Sequence, residues 1–265
     1  MGVNIHITLK EVNTLFPNYN FTELTPTTDG VIDTTYIVAN KQKSYILKHF
    51  DRDIEAKIDD DKKLLKQLSR SGLNVPLYID ENRGWYLFKR LKGVTPKTVR
   101  LCHIQTLARF MAKYHSLTYK QTDKKHFFDH YAIEELLLFT KQNFYRHYKE
   151  LEVLKYTPKL CDGFIHGDIF IDNTVFEKDK IGVFDFIDGG CGPFAFDIAV
   201  AMLSFNPKNR PSYLYRFLDT YNQSAPKKLF LAELTAQLKL AKKLYALLRI
   251  GRTHNTKTAN KLIFR

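Results

Sequence analysis

Three polar residues that follow short apolar runs have the chemistry of phosphoryl transfer. One apolar run ends in His166-Gly167-Asp168, Asn173 follows Asp168 by five residues, and a second apolar run ends in Asp185. A carboxylate can accept the proton of an attacking hydroxyl group, while a carboxamide and a second carboxylate can hold the Mg²⁺ that neutralises a triphosphate. The pattern predicts an active site carried by the ends of two short strands.

Each of these residues has a plainer interpretation when it is taken alone. Asp and Asn side chains near turns commonly bind the neighbouring backbone, and His-Gly-Asp fits many tight turns. The joint pattern is more specific, because H-G-D-x-x-x-x-N is followed by D-F, by Asp188 and by Asp197 near the start of a predicted helix. The protein-kinase catalytic loop has the same Asp-to-Asn spacing, and its metal-binding Asp lies on a following strand. The combination favours a kinase-type site.

This stretch, residues 164–197, resembles the aminoglycoside/choline kinase superfamily and most resembles the bacterial homoserine kinases of this fold. The resemblance implies that Asp168 is the catalytic base and that Asn173 and Asp185 bind the metal. It implies ATP and Mg²⁺ as cofactors and a small-molecule hydroxyl group as the acceptor. The reaction expected from it converts L-homoserine to O-phosphohomoserine in threonine biosynthesis.

The same resemblance implies a two-lobed α+β fold of the protein-kinase type. The first lobe, residues 1–91, would bind the nucleotide with a small antiparallel sheet and one main helix. The second lobe, residues 92–265, would be larger, mostly helical, and would carry the catalytic and acceptor-binding groups. Asp188 and His166 would support the metal-binding groups, and Asp197 would be a structural residue at a helix start.

The first lobe has the sequence expected of a phosphate-binding hairpin. A run rich in β-branched residues, TTYIVA, is followed by a polar turn and the strand SYILK. At this position kinases keep a phosphate-covering loop and a lysine that pairs with the phosphates. The loop here has one glycine, Gly30, so Thr34 and Thr35 are expected to contact the phosphates beside Lys48. A plain surface lysine on a strand is the alternative for Lys48.

The next helix and strand complete the predicted nucleotide site. Kinases carry an acid on this helix that pairs with the lysine. Asp61 matches that position, judged by its distance from the helix end at Gly72. Asp60 is the second choice, and an acid favoured by the helix dipole is an equally good interpretation. The resemblance places the adenine-binding hinge near Lys89 to Leu91.

Beyond the hinge, the spacing of apolar residues predicts a mostly helical chain. The amphipathic pattern repeats with helical periodicity in several segments, separated by polar stretches. A loop is predicted over Gln121–His130, and helices are predicted over His103–Leu117, Ile133–Tyr148, Phe196–Leu203, Pro211–Tyr221 and Leu229–Ile250.

The excess of positive charge is concentrated near the C-terminal end of the sequence. Residues 198–265 contain thirteen Lys and Arg and two acids, whereas the other 197 residues contain 28 basic and 26 acidic groups. Such a surface favours an anion, although a solvated lysine-rich face is an equal alternative. Arg249 and Arg252 could hold a substrate carboxylate in a planar fork, unless they are ordinary cations at a helix end.

Two other functions fit parts of the sequence. Choline/ethanolamine and aminoglycoside-type kinases take cationic acceptors, which the nearly acid-free C-terminal third disfavours, although an aromatic cage could hold choline. A kinase-like binding protein could instead present its basic face to RNA or to an acidic partner. The aromatic residues are not interleaved with the basic cluster, so nucleic acid is not the expected partner.

The remaining features indicate a cytoplasmic protein without a membrane partner. No run of eighteen apolar residues occurs, and the first sixteen residues lack the apolar core of a signal peptide. Cys102, Cys161 and Cys191 have no C-x-x-C spacing. They are expected to be buried, unpaired residues in a reducing compartment.

Overall fold

The computed structural model describes residues 3–27 and 33–264, and the chain forms two compact units. The first unit consists of residues 1–94 and 175–187, and the second of residues 95–174 and 188–265. Residues 175–187 therefore return to the first unit from within the sequence of the second, a return that no sequence pattern indicates. The functional lobes of residues 1–91 and 92–265 stay a prediction.

Strands and helices are numbered in chain order. The strands are β1 (Glu23–Pro26), β2 (Thr34–Ala39), β3 (Ser44–His49), β4 (Tyr78–Asn82), β5 (Trp85–Lys89), β6 (Gly163–Ile165), β7 (Thr174–Glu177), β8 (Lys180–Val183) and β9 (Gly190–Gly192). The α-helices are α1 (Leu9–Leu15), α2 (Glu55–Arg70), α3 (Leu101–Thr118), α4 (Ile133–Asn143), α5 (Tyr145–Leu151), α6 (Phe194–Phe205), α7 (Pro211–Tyr221), α8 (Leu231–Thr253) and α9 (Thr256–Ile263).

The first unit is built on a five-stranded antiparallel sheet with the strand order β1-β2-β3-β5-β4. The β-branched run of β2 buries alternate residues, as the twofold period of a strand requires. Its Tyr36 lies opposite Leu47 of β3, so the predicted hairpin is confirmed. The buried face of the sheet packs with α1 and the loop after it in one core, whose members are Val12, Phe16, Phe21, Tyr36, Val38, Leu47, Trp85 and Leu87.

Helix α2 presents one side to the interior of the same unit. Its buried residues Ile58, Asp61, Leu65 and Leu68 recur at intervals of three and four, which is the spacing of one helix face. The helix ends at Arg70, and Gly72 follows with φ +83°, a left-handed conformation that glycine adopts without strain. The helix end predicted at this glycine is confirmed.

The second unit is mostly helical and is organised around α6 and α8, which pack against each other. Helix α7 matches its predicted bounds, and α3, α6 and α8 differ from theirs by two or three residues at an end. The single helix predicted over 133–148 is wrong. Phe144 has φ −142° and ψ 57°, outside the helical region, and it separates α4 from α5.

The predicted loop of residues 121–130 and the cysteines also need correction. Residues 127–130 form a 3₁₀ turn that buries the rings of Phe127 and Phe128. The expectation of unpaired, buried cysteines is wrong, because Cys161 and Cys191 form a disulfide and Cys102 is exposed. Antiparallel pairing of β6 with β9 brings the two Cα atoms to 5.4 Å, within the range of disulfides, although the residues are 30 positions apart.

The predicted α+β organisation is confirmed, with a small antiparallel sheet and one main helix in the first unit and a mostly helical second unit. Short two-stranded pairs, β6 with β9 and β7 with β8, complete the strands. Within the described ranges, every helix is too short or too polar to cross a membrane.

Replacing Leu47 by Ala should lower the free energy of unfolding by about 2–5 kcal/mol, because it leaves a cavity in the core of the sheet. Leu47 has no exposed surface, whereas Leu138 on α4 is 57% exposed and offers the same substitution as a control. Urea unfolding of both variants measures the difference. A loss for Leu47→Ala no greater than that for Leu138→Ala would contradict this account of the core.

Candidate active site

The His166-Gly167-Asp168 turn that follows β6 is fixed by a buried carboxylate. Asp197, in the first turn of α6, accepts hydrogen bonds from the backbone N–H of His166 at 3.2 Å and of Gly167 at 2.7 Å. Gly167 has φ +71°, and a Cβ atom there would collide with the ring of Phe127. The turn therefore requires glycine at this position.

A buried aromatic network holds the Asp197 side chain. His115 lies 3.0 Å from the carboxylate through Nε2 and 2.8 Å from the hydroxyl of Tyr221 through Nδ1, and Phe194 stacks on its ring. Burial, followed by the charge of Asp197, raises the pKa of Tyr221, so its phenol stays protonated beside the ring. Nε2 donates to the carboxylate, so Asp197 has donors from both the backbone and the imidazole ring.

The carboxylate of Asp168 has a hydrogen-bond donor on each oxygen. The hydroxyl of Tyr245, on α8, lies 3.0 Å from Oδ1, and Nδ2 of Asn173 lies 3.1 Å from Oδ2. Nδ2 of Asn173 also donates to the Asp168 carbonyl at 2.8 Å, so both of its hydrogens face Asp168. This orientation turns Oδ1 of Asn173 away from Asp168, where its lone pairs can bind a cation.

Asp185 lies in the first unit, where Lys48 of β3 binds it. Nζ of Lys48 lies 2.7 Å from Asp185 and 3.3 Å from Asp33, and Asp33 is also bound by Arg52 at 3.2 Å. Burial alone would lower the pKa of Lys48, but the charges of Asp185 and Asp33 outweigh it and raise the pKa above its usual value. Lys48 is thus a fixed cation between two carboxylates.

The backbone of Asp185 is in the left-handed region, with φ +73°. This conformation costs a residue with a Cβ atom on the order of 1–2 kcal/mol, and Asp tolerates it better than most. Asp185 follows the last residue of β8 by two positions. Strained residues of this kind recur at functional sites, which is consistent with the role predicted for Asp185.

The other residues predicted for the nucleotide site differ in burial and in hydrogen-bond partners. Gly30 lies outside the described residues. The Thr34 hydroxyl is buried, donates to Asp51 and accepts from the backbone of residues 4 and 5. Thr35 is half-buried and lies opposite Lys48 in the β2–β3 pair. The buried Asp61 accepts a hydrogen bond from the hydroxyl of Tyr78 at 2.7 Å.

The residues predicted for the hinge and for support of the metal-binding groups lie near the ends of strands. Lys89 is exposed at the end of β5. Leu91 is half-buried, and its side chain packs so closely on Gly182 that a Cβ atom there would collide with it. Asp188 is half-buried in the second unit. His166 is fully buried and accepts a hydrogen bond from the backbone N–H of Asp168 through Nδ1, which shapes the turn.

Helix α8 places the two candidate arginines in line with Tyr245. Arg249 and Arg252 follow Tyr245 by four and seven residues, so all three lie on the same side of the helix. Both arginines are exposed, and the Arg252 guanidinium lies 5.2 Å from the centre of the Tyr131 ring. The side of α8 that contacts Asp168 therefore continues into a cationic strip.

Some of the predicted residues are brought together and others are not. The second unit joins Asp168 to Asn173, and the first unit joins Lys48 to Asp185. Asp33 and Tyr245 were missed, although each had a sequence signal. An acid directly before a strand was available to pair with Lys48, and a tyrosine on a buried helix face needs a partner for its hydroxyl.

The available oxygen donors suit a magnesium ion that shares its coordination with phosphate. Mg²⁺ is usually held by one or two side-chain oxygens, with waters and substrate phosphates completing the shell. Asn173 and Asp185 are donors of this kind. In the part of the chain that the structure describes, no three His, Cys, Asp or Glu side chains form a cage that could hold a metal by themselves.

Comparison with known proteins places the site inside a recognised family region. The APH phosphotransferase enzyme family matches residues 23–234, which include both strand ends and the hairpin. A homoserine kinase from Polaromonas naphthalenivorans (strain CJ2) is 25% identical over 200 residues. That match covers 65% of this chain and spans 62% of the length of the relative.

Solved structures share the fold over nearly the whole chain. The amicoumacin kinase hAmiN, in complex with AMP-PNP, Ca²⁺ and Ami, aligns with a TM-score of 0.73 at 18% identity, over 97% of this chain and 92% of that one. The macrolide 2'-phosphotransferase MphH from Brachybacterium faecium aligns with a TM-score of 0.68 at 16% identity, over 96% and 97%. The predicted kinase-like fold class is confirmed.

Replacing Asp197 by Ala should lower the free energy of unfolding by about 3–5 kcal/mol, as expected when one partner of a buried charged network is removed. The backbone N–H groups of His166 and Gly167 would lose their acceptor. Asp172→Ala, at an exposed position of the same segment, is the control. Thermal and urea unfolding give the values, and equal stabilities for the two variants would show that Asp197 does not hold the turn.

Proposed function

The chain belongs to the APH phosphotransferase enzyme family, and from that premise we propose that it transfers the γ-phosphoryl group of ATP to the hydroxyl group of L-homoserine. The product would be O-phosphohomoserine, an intermediate of threonine biosynthesis. The observation that carries the proposal is the Asp168 carboxylate, held on a fixed turn by donors on both oxygens. A carboxylate fixed in this way is prepared to accept one proton from a hydroxyl group.

Asp168 is the proposed catalytic base. It would accept the proton of the acceptor hydroxyl as that oxygen attacks the γ-phosphorus, a role that contributes about 10²–10⁴-fold in rate. The hydrogen bonds from Tyr245 and Asn173 prevent free rotation of the carboxylate, so the proton-accepting oxygen keeps its direction. Catalysis of phosphoryl transfer depends mainly on such positioning and on stabilisation of charge.

Asn173 and Asp185 are the proposed metal ligands, through Oδ1 of the amide and the carboxylate oxygens. When bound, Mg²⁺ neutralises the charge on the transferring phosphates. Lys48 is the proposed partner of the α- and β-phosphates, with Thr35 opposite it on β2 and the hinge at residues 89–91 for adenine. The complex of hAmiN with AMP-PNP supports the use of ATP by proteins of this fold.

The acceptor assignment depends on the resemblance to homoserine kinases and on α8. Arg249 lies one turn beyond Tyr245, about 6 Å along the helix axis, and the Tyr245 hydroxyl contacts Asp168. The hydroxyl and carboxylate of homoserine are separated by a short carbon chain, so one molecule could contact Asp168 and an arginine of this strip together. A guanidinium binds a carboxylate through two parallel hydrogen bonds, which supports an amino-acid acceptor.

Replacing Asp168 by Asn should leave the fold intact and lower kcat by about 10²–10⁴-fold, because the amide cannot accept the hydroxyl proton. ADP release in a coupled assay measures kcat, and thermal unfolding verifies the fold. Asp219→Asn, an exposed position on α7, is the matched control and should keep the wild-type rate. A rate for Asp168→Asn within tenfold of wild type would exclude Asp168 as the base.

A panel of hydroxyl acceptors tests the substrate assignment. L-Homoserine should give the highest kcat/KM among L-homoserine, choline, ethanolamine and an aminoglycoside, since the strip on α8 favours an anionic group over a cationic one. Phosphorylated products are identified by mass spectrometry. Faster turnover of choline would contradict the proposal, as would salt-sensitive binding of RNA without ATP turnover by any acceptor.

A further inference from the structure

We propose that Tyr245 positions the catalytic carboxylate, by holding Asp168 and the carbonyl group before it in one arrangement. This inference rests on the proposed function, because it assigns the base to Asp168. Tyr245 would not touch the reacting atoms and would act only through Asp168. Its role is independent of which acceptor the enzyme uses.

The position of the hydroxyl carries the argument. A tyrosine hydroxyl has one hydrogen, and the Tyr245 oxygen lies 2.5 Å from the Gly167 carbonyl and 3.0 Å from Oδ1 of Asp168. The two acceptors belong to consecutive residues of the turn. The single hydrogen is shared between the two acceptors as a three-centre hydrogen bond, with the shorter contact to the Gly167 carbonyl. One side chain on α8 thus holds both the backbone that leads into Asp168 and its carboxylate.

The tyrosine itself has little freedom to move. It is only 7% exposed, and its neighbours on the helix, Leu244 and Leu248, are buried as well. The ring of Phe170 meets it edge-to-face at a centroid distance of 4.8 Å. A side chain locked by packing holds its hydrogen-bond partner more precisely than a loop residue can.

The Tyr245 hydroxyl also stays a donor under working conditions. Burial, followed by the charge of Asp168 and the neighbouring Tyr131, raises its pKa well above the usual value. The phenol therefore keeps its proton beside an ionised carboxylate. Asn173 supplies a donor on the other oxygen, so Tyr245 and Asn173 act on opposite sides of the carboxylate.

Tyr245→Phe tests the proposal, because it removes the hydroxyl and keeps the ring. We expect kcat to fall on the order of 10–100-fold, since small displacements of a catalytic group have effects of this size, while KM for ATP stays within twofold. Tyr213→Phe is the matched control. Tyr213 is also 7% exposed and its hydroxyl donates to a backbone carbonyl, that of Val99, without contact to Asp168.

A double-mutant cycle with Asp168→Asn separates positioning from general stability. If Tyr245 acts through Asp168, then Tyr245→Phe should reduce kcat in the wild-type background and have no further effect in the Asp168→Asn background. An equal loss in both backgrounds would overturn the proposal, as would a kcat within twofold of wild type. Failure of Tyr245→Phe to fold, with Tyr213→Phe folded, would assign Tyr245 to stability alone and also overturn it.

The cycle is measured with whichever acceptor wild type phosphorylates fastest, and kcat is expressed per nucleotide-binding site counted by calorimetric titration. A wrong acceptor assignment therefore leaves the test of Tyr245 intact. If the wild-type protein is inactive with every acceptor, the proposed function is overturned, and this inference with it. An active wild type with an additive cycle would overturn the inference alone.

Discussion

The His166-Gly167-Asp168 turn depends on one buried carboxylate. Asp197 has no exposed surface, yet it accepts two backbone hydrogen bonds from the His166-Gly167 segment and a third from the ring of His115. An unpaired buried charge would destabilise the fold strongly, so the buried Asp197 carboxylate is tolerated because these donors bind it. The same bonds hold Gly167 in its left-handed conformation and present Asp168 at the end of β6. The chemistry proposed for Asp168 rests on this arrangement.

Each unit carries its own cluster of polar groups. In the second unit, Asp168 is bound by Tyr245 and Asn173, and in the first, Lys48 is bound by Asp33 and Asp185. The chain passes from one unit to the other just after Asn173 and again soon after Asp185. Each cluster therefore includes one residue close to a crossing, Asn173 in the second unit and Asp185 in the first.

Patterns within one segment were predictable, whereas partners distant in the sequence were not. The β2–β3 hairpin, the end of α2 at Gly72 and the helices α3, α6, α7 and α8 follow from local periodicity and turn residues. The disulfide of Cys161 with Cys191 and the bond between Tyr245 and Asp168 join residues 30 and 77 positions apart. Only the fold brings such pairs together. The break at Phe144 was missed because the apolar spacing continues through it.

The proposal that a single structure can test most directly is that Oδ1 of Asn173 binds the metal ion of the nucleotide. A crystal structure of the protein with AMP-PNP and Mg²⁺ makes that test. We predict a Mg²⁺ ion about 2.0–2.1 Å from Oδ1 of Asn173, bound to the phosphates of the nucleotide. A nucleotide whose metal ion does not contact Asn173 would contradict the account.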